Sequence, residues 1–187
     1  MPNLTIDHNI LIALETKDDQ GGYAFADNIR RLANEGRVTV SIPAIMASEN
    51  PKKGTKAISN FSEFKARLGS LGLEDCQIIA PMFYWGVGFW GSATWATAEM
   101  KELEEGIHGV LVPSGIPLEN PGNAQDKKWR NWKCDVQTVW AHAWHKTDCL
   151  VTRDERMIRR ASRLETYGAK VIGVPEAELM LGKLSAS

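Results

Sequence analysis

Two short apolar strands that run straight into a carboxylate constrain this chain most. Leu4-Thr5-Ile6 leads into Asp7, and Cys149-Leu150-Val151-Thr152 empties into Asp154. A buried strand that ends on an acid fits the carboxyl edge of a parallel sheet, where open α/β folds place their ligands. Short strands alternate with helices along the rest of the chain, which implies a mostly parallel sheet covered on both faces. Right-handed crossovers then bring the carboxyl end of every strand to one edge.

The pattern predicts strands over 3–7, 38–42, 76–80, 149–152 and 170–174, with a further short strand over 109–113. Helices are predicted from residue 10 and over 23–34, the latter ended by Gly36 as a C-cap glycine. Pro43 suits a first helical position, and the short helix it opens must end near Asn50-Pro51, with Glu49 in its last turn. Ile58, Phe61, Phe64, Leu68 and Leu71 repeat at helical spacing. Further helices are predicted up to about residue 105, over 126–146, after Thr152 as far as Tyr167 with Gly168 as cap, and from Pro175. Residues 82–97 space Trp85, Phe89, Trp90 and Trp95 with glycines.

With 187 residues, 43% apolar and 24% charged, the chain reads as a soluble globular protein of one domain, or one domain with a sizeable insertion. No run approaches the length of a membrane span, and the first residues lack the basic and apolar regions of a signal peptide. Three cysteines, Cys76, Cys134 and Cys149, are an odd set without paired spacing. They fit free thiols in a reducing compartment, so a cytoplasmic location is expected.

The sheet edge that carries Asp7 and Asp154 would also collect Glu49 and Asp135 from neighbouring helices. Each acid alone has an ordinary reading: Asp7 and Asp154 as helix caps, Glu49 and Asp135 as surface charges. Together they point to a metal site. Carboxylates gathered within a few ångströms repel and raise one another's pKa, and a divalent cation removes that cost. Oxygen-only ligands suit Mg2+ or Mn2+ rather than zinc. Asp148 precedes its strand and belongs at the opposite edge. Cys134, His142, His145 and Cys149 do not make a zinc site, because Cys134 and His145 stand about 16 Å apart along one helix.

Net charge is −1, yet Lys127, Lys128, Arg130 and Lys133 precede Asp135, and Arg153, Arg156, Arg159, Arg160 and Arg163 follow Thr152. These clusters read either as a solvated helix face or as a phosphate-binding surface beside an acidic pocket. Trp129, Trp132, Trp140 and Trp144 fit core or interface packing. The aromatics of 84–95 fit core packing, an oligomer interface or base stacking.

The segments LTIDHNILIALE, VSIPAIMASEN, CDVQTVWAHA, LVTRDERM and GAKVIGVPEAEL resemble, in order and spacing, the motifs of the PIN-domain nucleases, the family that includes the VapC-like toxins. The resemblance covers about the first 50 and last 60 residues. It implies a PIN-like three-layer α/β/α fold with a central, mostly parallel sheet, as a single domain over 1–187 with a divergent Trp- and Gly-rich insertion at about 51–125. It implies an acidic quartet of Asp7, Glu49, Asp135 and Asp154 that holds Mg2+ or Mn2+. Asn9 and Thr152 would orient a carboxylate or a water, although Thr152 is equally well read as a strand residue. Arg130, Lys133, Arg153 and Arg156 would contact the nucleic acid. The expected chemistry is endoribonuclease hydrolysis by a metal-activated water, leaving a 5′-phosphate and a 3′-hydroxyl. The resemblance also implies an RNA substrate, an antitoxin partner if the chain is a toxin, and a homo-oligomer as one possible assembly, with no membrane.

Two other readings stand beside it. A haloacid dehalogenase-type phosphohydrolase also carries an acid after its first strand, but calls for a second Asp where this chain has Asn9. A non-catalytic module that binds RNA or protein would leave the complete quartet without a purpose.

Overall fold

The computed structural model describes residues 1–17, 22–48, 60–83, 93–119 and 127–185. Five strands form one parallel sheet: β1 (Asn3–Ile6), β2 (Thr39–Pro43), β3 (Gln77–Ile79), β4 (Cys149–Thr152) and β5 (Val171–Gly173). Their order across the sheet is β3-β2-β1-β4-β5, so β1 is central and the chain reverses direction across it. Leu4 pairs with Val40 on one side and Cys149 on the other. The sheet is parallel throughout, as the alternation of strands and helices predicts.

Side chains alternate across this sheet, and each face has its own core. Leu4, Ile6, Val40, Ile42, Cys149 and Val151 pack on one face against α1 (His8–Thr16), α2 (Tyr23–Asn34), α3 (Phe61–Ser70) and the terminal helix, named α8 (Val174–Ser185). On the other face Ile79, Leu150 and Val171 meet α4 (Ala98–Leu111) and α5 (Lys127–Trp144). The short helices α6 (Glu155–Ile158) and α7 (Ala161–Glu165) add Met157 and Leu164 to this second core. The result is a three-layer α/β/α arrangement. No helix among the described residues is long and apolar enough to cross a membrane.

Several local predictions hold. The helix over Tyr23–Asn34 has the expected bounds, and Gly36 takes a left-handed φ of 67° just past its end, where a side chain would be strained. Others need correction. Residues 109–113 are not a strand: α4 runs on to Leu111, because Ile107, Val110 and Leu111 are buried in the second core. The Arg-rich helix is broken into α6 and α7 at Arg160, whose backbone leaves helical geometry (φ −107°, ψ 4°). Pro43 ends β2 rather than opening a helix, and a 3-10 turn, Ala44–Ser48, follows it. Within the range read as an insertion, α3, β3 and α4 join the same sheet and layers.

Polar contacts, some exposed and some buried, line the amino edge of the sheet. Asp148 accepts the Asn3 amide at 2.6 Å, which places it at the edge away from Asp7, as its position before β4 predicts. The Thr147 hydroxyl lies 2.6 Å from the Thr5 hydroxyl and 2.5 Å from His142 Nδ1. His142 is fully buried, and burial pushes its pKa down to about 4, against the opposing pull of Asp148. A folded-state pKa below the unfolded value of about 6.5 means that the unfolded chain takes up this proton first. Stability from neutral His142 is therefore complete above about pH 6.5 and is lost as pH falls towards 4. In urea titrations, the wild type should lose about 3 kcal/mol more than His142→Gln between pH 7 and 4. Parallel pH profiles for the two proteins would rule this out.

Candidate functional site

The carboxyl edge is built on the pairing of β1 with β4. Their register sets Ile6 beside Val151, and the ladder continues one residue further as the Asp7 amide donates to the Val151 carbonyl at 3.0 Å. Asp7 therefore leaves the sheet next to Thr152. Its Oδ2 accepts hydrogen bonds from the Thr152 hydroxyl (2.6 Å) and from Asn9 Nδ2 (2.5 Å). Its Oδ1 accepts the His8 amide at 2.7 Å and so caps α1. The Thr152 hydroxyl in turn accepts the Asp154 amide at 2.9 Å, and Asn9 Oδ1 accepts the Arg153 amide at 3.2 Å. One hydroxyl and one amide side chain thus tie the two strand ends together.

Asp154 caps α6 through the Arg156 amide (2.7 Å). The capping roles expected of Asp7 and Asp154 are both present, and each contributes about 1 kcal/mol by ordinary precedent. Asp154 has a second partner, because Arg156 folds back on it. Nη2 of Arg156 lies 2.5 Å from Asp154 Oδ2, and Nε lies 3.1 Å from both carboxylate oxygens. Burial alone would push the Asp154 carboxyl up, but the hydrogen bonds and charge of Arg156 outweigh it and hold the group below its ordinary value.

Asp135 reaches the same place from α5. This helix precedes β4, so it runs back along the sheet and its last turn lies near the amino edge. Asp135 stands nine residues before Trp144, about 13 Å along the axis. The four residues of β4 span about the same length, which brings Asp135 level with the carboxyl edge. There its Oδ2 lies 3.1 Å from Nη2 of Arg156, the nitrogen that also holds Asp154. The guanidinium carbon sits 4.4 Å from the ring centroid of Trp132, one helical turn before Asp135. An aromatic and an acid at i and i+3 share a helix face, so this pairing was readable in the sequence, whereas the inward turn of Arg156 was not.

The structure thus joins Asp7, Asn9, Thr152, Asp154, Arg156 and Asp135 in one polar network. Glu49 lies outside the described residues, as do Tyr84, Trp85, Phe89 and Trp90 of the predicted aromatic segment. Among the described residues, no three His, Cys, Asp or Glu side chains are grouped closely enough to hold a metal ion. The chemistry of the donors nevertheless fits a hard cation. Asp135 and Asp154 aim oxygens at one cationic nitrogen, which stands in for such an ion, whereas Asp7 is linked to Asp154 through the Thr152 hydroxyl and the Asp154 backbone amide.

Of the basic residues expected at the nucleic acid, Arg153 is exposed and Arg130 is partly so. Arg156 is committed to the two acids. Lys133 needs correction, since it is 2% exposed and points into the interior. Its Nζ lies 2.6 Å from Glu104 of α4, and both side chains are buried. It also donates to the Leu118 carbonyl at 3.0 Å. Gln137 completes the cluster by donating to Glu104 (2.6 Å) and accepting the Met82 amide (2.9 Å). Trp129 and Trp140 are buried, as core packing predicts, whereas Trp95 is 74% exposed against Phe83.

Removing one member of a buried ion pair strands the other charge. Lys133→Met should therefore lower stability by about 3–5 kcal/mol in chemical denaturation. The double variant with Glu104→Leu should recover most of that loss. A double variant no more stable than the single one would refute the pairing. Comparison with known protein families finds none that matches this chain, and comparison with curated proteins finds no significant match.

Proposed function

We propose that this chain is a Mg2+- or Mn2+-dependent endoribonuclease of the PIN type. The observation that supports the reading best is the shared nitrogen of Arg156, because it marks a point where two carboxylates from different elements both meet positive charge. Asp135 and Asp154, which share the Arg156 nitrogen, would hold the ion, and only the family resemblance adds Asp7 and Glu49 to them. Bound there, it would supply Lewis-acid polarisation of a phosphodiester and acidification of a water molecule.

The chain's own residues have defined parts. Thr152 and Asn9 fix the Asp7 carboxylate through two hydrogen bonds to one oxygen, leaving its orientation little freedom. Asp135 or Asp154 takes the proton of the attacking water. The water oxygen bonds to phosphorus in line, the bond to O3′ breaks, O3′ takes up a proton from solvent, and the products are a 5′-phosphate and a 3′-hydroxyl. Arg153, exposed beside Asp154, contributes positive charge to the approach of an RNA backbone. A role as the toxin of a pair rests on the family resemblance alone. A neighbouring gene for a small DNA-binding protein would support it.

Asn preserves the capping geometry of Asp while removing the charge. Asp7→Asn and Asp154→Asn should therefore stay folded by circular dichroism and lose at least about 100-fold in Mn2+-dependent RNA cleavage. Chelation with EDTA should abolish cleavage by the wild type. Full RNA cleavage by both variants sinks the proposal. Hydrolysis of a small phosphate ester that Asp7→Asn abolishes, with RNA left intact, would instead favour a dehalogenase-type phosphohydrolase.

A further inference from the structure

We infer that Arg156 is an internal latch that competes with the divalent cation for Asp135 and Asp154, and that cation loading turns its guanidinium outward to a substrate phosphate. This inference rests on the metal-dependent reading above and concerns how that site is regulated.

Three observations carry it. First, Arg156 occupies the charge position. Its Nη2 contacts both carboxylates, at 3.1 Å to Asp135 and 2.5 Å to Asp154. A guanidinium and a divalent cation cannot both sit against the same two oxygens, since like charges at such separations repel strongly in a partly buried setting. Second, the latch can leave. The Arg156 side chain is 43% exposed, against 1% for Lys133 in the interior pair, so solvent already reaches one side of the fork. Third, the side chain has a place to pivot. Trp132 lies against the guanidinium face, and an aromatic face holds a cation without using its N–H donors. Freed from the acids, the fork keeps this contact and presents its donors for bidentate binding of a phosphate.

The two ligands are then linked. Cation binding releases Arg156 for phosphate, and phosphate drawing Arg156 away exposes the acids to the cation. Each tightens the other by the same factor. In the absence of RNA the latch offsets one of the two negative charges, which lowers the charge repulsion at the edge and weakens the binding of free cations.

The experiment measures Mn2+ binding by calorimetry, together with the rise in Tm on adding Mn2+, for the wild type, Arg156→Gln, Arg156→Lys and Asp154→Asn. Arg156→Gln should bind Mn2+ about tenfold more tightly than the wild type, with a larger Mn2+-induced rise in Tm. Arg156→Lys, which keeps the charge but loses the fork, should fall between them, and it carries the test if the Gln variant folds poorly. Detectable binding by Arg156→Gln alone also supports the latch. If Arg156→Gln and Arg156→Lys bind Mn2+ no more tightly than the wild type while Asp154→Asn weakens binding, the latch is wrong and the metal-dependent reading stands. If none of the four proteins binds Mn2+, both fall.

Discussion

The parallel pairing of β1 with β4 is the constraint on which the rest of the edge depends. A strand's side chains alternate, so a slip of one residue would turn Thr152 to the opposite face and leave Asp7 beside a different neighbour. The observed register is held by burial on both faces: Leu4 and Ile6 point one way with Cys149 and Val151, while Leu150 points the other. The core thus positions the polar groups without touching them. Thr152 has its hydroxyl hydrogen directed to Asp7 and a lone pair directed to the Asp154 amide. A valine in its place would keep the strand and lose both contacts.

Two ion pairs show how setting decides what similar chemistry does. Lys133 and Glu104 meet where both side chains are 1% exposed, and backbone and amide groups surround them. That arrangement ties α4 to α5 and to the chain around Leu118. Arg156 meets Asp135 and Asp154 at a partly open rim. Its charges stay near water, so partners can exchange there at a cost the fold can bear. The first pair belongs to stability, and the second is the one on which the proposed function draws.

Much of this was legible in the sequence, and the failures share a cause. Asp7 and Asp154 announced themselves because they follow short apolar runs, and the topology followed from the alternation of strands and helices. The place of Asp148 before its strand puts it at the opposite edge. A lysine among other cations looks like surface, and only the fold shows that Glu104, 29 positions away, turns towards Lys133. Over 109–113, β-branched Val110 and Val112 before Pro113 resemble a strand, while packing against α5 holds most of the segment helical. Local preference lost to tertiary burial in both cases. The inward turn of Arg156 was equally hidden, since a side chain's choice between solvent and a carboxylate is made by neighbours distant in sequence.

The backward run of α5 along the sheet makes it a ruler. Asp135 is level with the end of β4 only because the helix between Asp135 and Trp144 and the strand between Cys149 and Thr152 have matched lengths. One residue added between Asp135 and Trp144 would swing that carboxylate about 100° around the helix and carry it past the edge. The 19-residue interval from Asp135 to Asp154 is therefore a dimension of the site itself. Substitutions on the helix between Asp135 and Trp144 are tolerable wherever packing allows, whereas a change in the length of that helix is not.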